Sequence, residues 1–261
     1  LAEKPPRDHE PLGVDVVEHG EAVGEVAHRL ADGDPVFALV EVDIAEAMGL
    51  DHVAALGAPF LYLPPPPALP PPPAASLLAM PVHGWERQRI AVDFAAYAQA
   101  LVALRPHFRS IAVCLYWFDY QDAANRAHFE SLGFGVVTAG HRDGNPQFLH
   151  DLRKLILGYE TMTTNRAQTG FFYALAMGRP GFLFGPPAGV EGWIDPSGHL
   201  FAAWQAQQFP SLTWDKFDGM AQVELAQAEL GAQHVLSPAG LRERLLWQPD
   251  QQMALASTVQ A

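Results

Sequence analysis

The apolar positions of the chain follow two periods that alternate along its length. Short runs without internal alternation, at residues 77–80, 111–117, 134–138, 159–163 and 182–184, have the length and the β-branched or aromatic content of buried strands. Between them the spacing becomes helical. Ile90, Phe94, Tyr97, Ala98 and Leu101 mark one face of a helix over 89–104, and further helices are predicted over 121–132 and 148–157. Phe171, Phe172, Leu175 and Ala176 mark another, stopped by Gly178, Arg179 and Pro180. Strands that alternate with helices predict βαβ units, whose helical crossovers make the strands parallel. The fold class is therefore α/β.

The flanking segments extend this pattern. Upstream, an amphipathic helix over 21–30, a strand over 36–40, a helix over 44–56 and a strand over 59–63 predict a smaller N-terminal α/β subdomain, residues 1–63. The run PPPPALPPPP at 64–73 then marks a composition shift. Consecutive prolines form a stiff polyproline II rod, so 64–75 reads as a connector, with recruitment of an SH3-like partner as the other use of such a rod. Residues 76–261 form the main domain. Its later part holds a Gly- and Pro-rich loop over 186–197, a candidate lid carrying Glu191 and Asp195. Helices over 200–207 and 214–230, a last short strand within 231–236 and a final helix ending near Trp247 complete it.

Composition narrows the class. Of 261 residues, 49% are hydrophobic and 17% charged, which favours a packed core over disorder. The net charge of −13 opposes binding to a polyanion, so nucleic acid is not expected as a partner. No apolar run reaches the roughly 18 residues of a membrane span. The lone cysteine, Cys114, lies inside an apolar run and reads as a small buried hydrophobe; the cytoplasm fits it best. The chain carries no P-loop, G-x-S-x-G elbow, H-E-x-x-H or cysteine metal spacing. Asp32 and Asp34 form a D-x-D pair, but a turn before a strand contains aspartate and glycine anyway.

Candidate chemistry gathers where strands pass into helices. In open α/β sheets ligands bind beyond the carboxyl ends of the strands, and a helix that starts there offers unpaired amides and a positive dipole to an anion. Asn165, Arg166, Gln168 and Thr169 sit at such a turn, and Gly170 lets backbone approach a ligand; an ordinary helix cap uses the same residue types. His83, in a strand-to-helix turn before Gly84, is a candidate base, a phosphate ligand or a surface residue. Gly140, His141 and Arg142 open the turn after the strand at 134–138 and offer close approach and charge. Asp119 either caps the following helix or faces the cleft.

The order TTN at 163–165, T-G at 169–170, YALAMGRP at 173–180 and then a short strand resembles the donor-binding half of GT-B glycosyltransferases that build bacterial surface polysaccharides. CLYWFDY at 114–120, VVTAGHRDGNPQFL at 136–149 and ELGAQHVLSPAGL at 229–241 are similar to the same group. The resemblance covers roughly residues 77–247, and the chain is short for a complete two-domain member. It implies a Rossmann-like, GT-B-like parallel sheet. It implies a metal-independent transfer of sugar from a nucleotide-sugar donor to a saccharide or other acceptor, with no cofactor beyond that co-substrate. The donor phosphates would lie on Asn165, Arg166, Gln168, Thr169 and Gly170, the nucleotide against Gly140, His141 and Arg142, and His83 would be the base. A nucleotide-sugar epimerase and a non-catalytic assembly protein remain open alternatives, as does a peripheral place at the inner membrane.

Overall fold

The computed structural model describes residues 54–84, 90–190 and 197–245. The elements expected over 21–30 and 36–40, most of the helix over 44–56, the Asp32–Asp34 pair, and Glu191 and Asp195 lie outside them. The chain divides into two compact units, Leu1–Ala55 and Leu56–Ala261, and the sheet belongs to the second.

Five strands, β1 (Ser76–Ala79), β3 (Ser110–Cys114), β4 (Gly135–Val137), β5 (Thr161–Thr164) and β6 (Gly181–Leu183), form one parallel sheet in the order β4-β3-β1-β5-β6. This is a Rossmann-like α/β architecture. The central strand β1 is buried throughout, consistent with its uninterrupted apolar run. The helices between strands are α1 (Phe94–Val102), α2 (Trp117–Gln121), α3 (Ala123–Glu130), α4 (Phe148–Leu157) and α5 (Thr169–Ala176). Right-handed crossovers place α1 and α3 on one face and α4 and α5 on the other, because the chain reverses its direction of travel across the sheet after β4. Leu77 and Ala79 pack with Tyr97, Leu101, Val113, Phe129 and Phe182 in one core cluster. Leu78 points the opposite way by strand alternation. Each fully buried large aliphatic side chain there contributes about 1.5–3 kcal/mol.

Several expectations are corrected. Residues 59–63 are not a strand: Pro59–Tyr62 is a 3-10 turn, with proline at its start, whose Phe60 stacks on Tyr173 at 4.1 Å. The helix expected over 89–104 begins only at Phe94, because Asp93 caps it by accepting from the Ala96 amide at 2.8 Å. Ile90–Ala91 is instead β2, paired antiparallel with β7 (Gly189–Val190), so the loop beyond β6 holds a strand that periodicity could not reveal in two residues. The helix over 121–132 is broken at Asp122, which caps α3 through the Ala124 amide at 2.8 Å; Asp119 is not the cap. The helix predicted over 200–207 is present as α6 (His199–Gln208). The one over 214–230 is a 3-10 turn, Trp214–Lys216, then an irregular stretch with Gly219 at φ +79, then α7 (Val223–Glu229). The last expected strand is another 3-10 turn, Ala232–His234, followed by α8 (Pro238–Arg244). Among the described residues no helix is long and apolar enough to cross a membrane.

Candidate functional site

The sheet order reverses between β1 and β5, which is where an open α/β sheet leaves a crevice at its carboxyl edge. The loops after β1 and β5 are joined there by hydrogen bonds. The Val82 amide donates to Asn165 Oδ1 at 2.9 Å, and Gln168 Nε2 donates to the Met80 carbonyl at 2.9 Å and to Thr164 Oγ1 at 3.2 Å. Asn165 Nδ2 donates to the Pro186 carbonyl at 2.9 Å, which ties in the chain beyond β6.

The structure separates the residues of the Asn165 turn into two groups. Asn165 is 4% exposed with both ends of its amide engaged, and Gln168 is turned back onto β1, so these two brace the crevice. Arg166 Nη1 donates to the Ala188 carbonyl at 3.1 Å and its guanidinium lies 3.6 Å from the centre of the Phe201 ring. Thr169 and Gly170 form the first turn of α5. Thr169 is exposed, and neither amide donates to an acceptor among the described residues. They therefore present two donors at the positive end of the helix dipole. A side chain on Gly170 would meet Met80 Cε at 3.1 Å, so the close fit of α5 against the β1 loop favours glycine there.

Sequence reasoning missed Gln205. This residue of α6 is 5% exposed; its Oε1 accepts from the Ala167 amide at 2.8 Å and its Nε2 donates to the Asn165 carbonyl at 3.1 Å. It satisfies the turn from about 40 positions away, and nothing local in the sequence of α6 signals that role.

The remaining loops of the rim are joined by rings. His83 stacks on Tyr116, beyond β3, at 4.4 Å and 22°. Tyr116 meets Phe118 edge to face at 5.7 Å, and Phe118 meets His141, in the loop after β4, at 5.3 Å and 82°. His83 Nδ1 faces the Gly84 carbonyl at 2.6 Å; a carbonyl only accepts, so Nδ1 carries the proton and Nε2 is the basic nitrogen of the neutral ring. His141 takes the opposite tautomer, since its Nδ1 accepts from the Asp143 amide at 3.1 Å and the Gly144 amide at 3.3 Å. Gly140 turns the same loop with φ +87, and Arg142 pairs with Asp143 at 3.0 Å. His83, His141 and the Asn165 turn thus share one rim. Asp119, half-buried on α2, has its carboxyl pushed above the usual range by burial and then by the charge of Asp122.

Two cavities flank the sheet. One, about 520 Å³, adjoins Asn165 and Gly185 and is also lined by Gln205, Trp214 and Asp215. The larger, about 1040 Å³, lies at the amino edge near Arg105, Arg109 and Lys154. Helix C-termini point to that edge, which accounts for its cations without a ligand. Among the described residues no group of three or more His, Cys, Asp or Glu is placed to hold a metal ion. Comparison with known proteins assigns no family: no family model matches the chain, and no curated protein matches it at a significant level.

Proposed function

We propose that the protein is a GT-B-like glycosyltransferase that moves a sugar from a nucleotide-sugar donor to a saccharide or other acceptor. The observation that carries this reading is the rim at the β1–β5 reversal, where the first turn of α5, the His83 loop and the His141 loop lie side by side. The motif resemblance over 114–120, 136–149 and 163–180 supports the same reading.

In this mechanism the donor phosphates bind the Thr169 and Gly170 amides and the Thr169 hydroxyl, with Arg166 adding positive charge at the same turn. His83 Nε2 accepts the proton of an acceptor hydroxyl as that oxygen bonds to the anomeric carbon. The anomeric bond to phosphate breaks, and the nucleotide leaves with the electron pair. Its charge falls on donors already oriented, which is how a fixed site stabilises a leaving group without reorganising.

Thermal shift against UDP, GDP, CMP, dTDP and their sugars tests the proposal. A ligand at 100 times its Kd adds about 2.7 kcal/mol of stability, a clear rise in Tm. His83→Ala is expected to keep that shift and to lose turnover. Absence of any shift across the panel overturns the reading, and conversion of UDP-N-acetylglucosamine without an acceptor makes the enzyme an epimerase instead.

A further inference from the structure

Phe118 is the one aromatic ring among the large apolar side chains that stand exposed in the described residues, at 47%. Its surroundings do not explain that exposure by mobility. The ring is held in T-shaped contacts with Tyr116 and His141, at 71° and 82°. His141 is fixed in turn by the two amides it accepts from, and the loop carrying it is braced by the Gly140 amide on Thr138 Oγ1 at 3.1 Å. An apolar ring is therefore presented to solvent in a set orientation, the arrangement that lowers the ordering cost of binding.

Its place on the rim selects the occupant. Adjacent strands lie about 4.8 Å apart, so the ends of β3 and β4 stand roughly 10–14 Å along the rim from the end of β5, whose loop leads into α5. An extended nucleoside diphosphate has that reach. With phosphates at Thr169 and Gly170, its base arrives at Phe118. We infer that Phe118 is the nucleobase platform of this site, stacking the base of a nucleoside diphosphate with His141 fixing the ring's orientation; this rests on the nucleotide-sugar reading. Every base offers a π-face, so the ring sets affinity for the nucleoside end without choosing among bases.

Titration calorimetry of the full chain with UDP, GDP and glucose 1-phosphate tests it. Phe118→Leu keeps apolar bulk against Tyr116 and removes the ring. It is expected to leave the unliganded Tm within a few degrees, to weaken UDP and GDP by roughly tenfold, and to leave glucose 1-phosphate unchanged. Phe118→Trp is expected to hold or improve the nucleotide affinity. Unaltered UDP and GDP binding in Phe118→Leu, or an equal loss for glucose 1-phosphate, overturns the platform while leaving the nucleotide site standing. If the unaltered protein binds none of UDP, GDP, CMP and dTDP, the nucleotide reading itself fails.

Discussion

At the scale of single residues, two groups near the carboxyl edge show how burial sets chemistry. Asp119 accepts no hydrogen bond and joins no ion pair among the described residues, and Asp122 takes the capping role that Asp119 could have had. Its folded pKa is therefore raised, so the native state holds this proton more tightly than the unfolded chain. Stability linked to it is greatest below the ordinary carboxylate value and falls as pH rises through the raised one. Asp119→Asn is accordingly expected to raise Tm at pH 7, with the gain vanishing in acid; equal gains at both extremes would refute the linkage. Cys114, 6% exposed, has its thiol pushed up to about 12 by burial, partly offset by a backbone hydrogen bond from Ala139. Iodoacetamide should leave it unmodified in the folded protein and alkylate it in denaturant. Its inert character was legible in the sequence, since it sits within an apolar strand. The fate of Asp119 was not, because two aspartates three positions apart compete for one cap and only the chain path decides between them.

Elements were legible in proportion to their length and to how locally they are determined. The strands of the sheet are legible because a strand buried on both faces draws on apolar and β-branched types: β1 and β3 carry apolar runs, while β5 is marked by its β-branched threonines. Helix boundaries shifted wherever an aspartate capped late, as Asp93 and Asp122 do. The turn before α5 was recognised as polar, but not which side chains face inward: that depends on Gln205, brought in by tertiary packing. Removing it as Gln205→Ala strands the buried Ala167 amide and Asn165 carbonyl and should cost about 1–3 kcal/mol in denaturant unfolding. Gly185, just beyond β6, has φ +114, and an added Cβ there would lie 2.5 Å from the Tyr97 ring. Gly178 has a comparable positive φ of +77 with nothing within 4 Å. Gly185→Ala should thus destabilise by about 2–4 kcal/mol, strain and overlap together, against about 1 kcal/mol for Gly178→Ala. Equal costs would mean the backbone angle, not the contact with Tyr97, dominates.

At the scale of the whole molecule, parallel strands leave all their carboxyl ends on one edge, which is why a rim shared by His83, His141 and Asn165 could be foreseen without knowing the strand order. The extent of the main unit could not be foreseen. Composition placed its start after the prolines, whereas residues 56–63 pack with the later chain: the Ala58 amide donates to the Leu230 carbonyl at 2.8 Å, and Tyr62 accepts from the Leu236 amide at 3.0 Å. Phe60, 6% exposed and parallel to Tyr173 within 8°, is the anchor of this strap. A proline run looks like a boundary because it cannot join a helix or a central strand, yet a stiff rod can equally return the chain to its own domain. Here it leads from Pro64, whose carbonyl accepts from Arg153 on α4, to Pro73, whose carbonyl accepts from Ser76 Oγ at 2.6 Å at the head of β1. The strap therefore belongs to the cooperative unit of the sheet. Phe60→Ala should lower the stability of the sheet domain by about 3–5 kcal/mol, read as a shifted urea midpoint in tryptophan fluorescence, because Trp214 reports on the packing around Phe182. A boundary after residue 63 predicts the opposite, an unmoved midpoint, since Phe60 would then belong to a separate core.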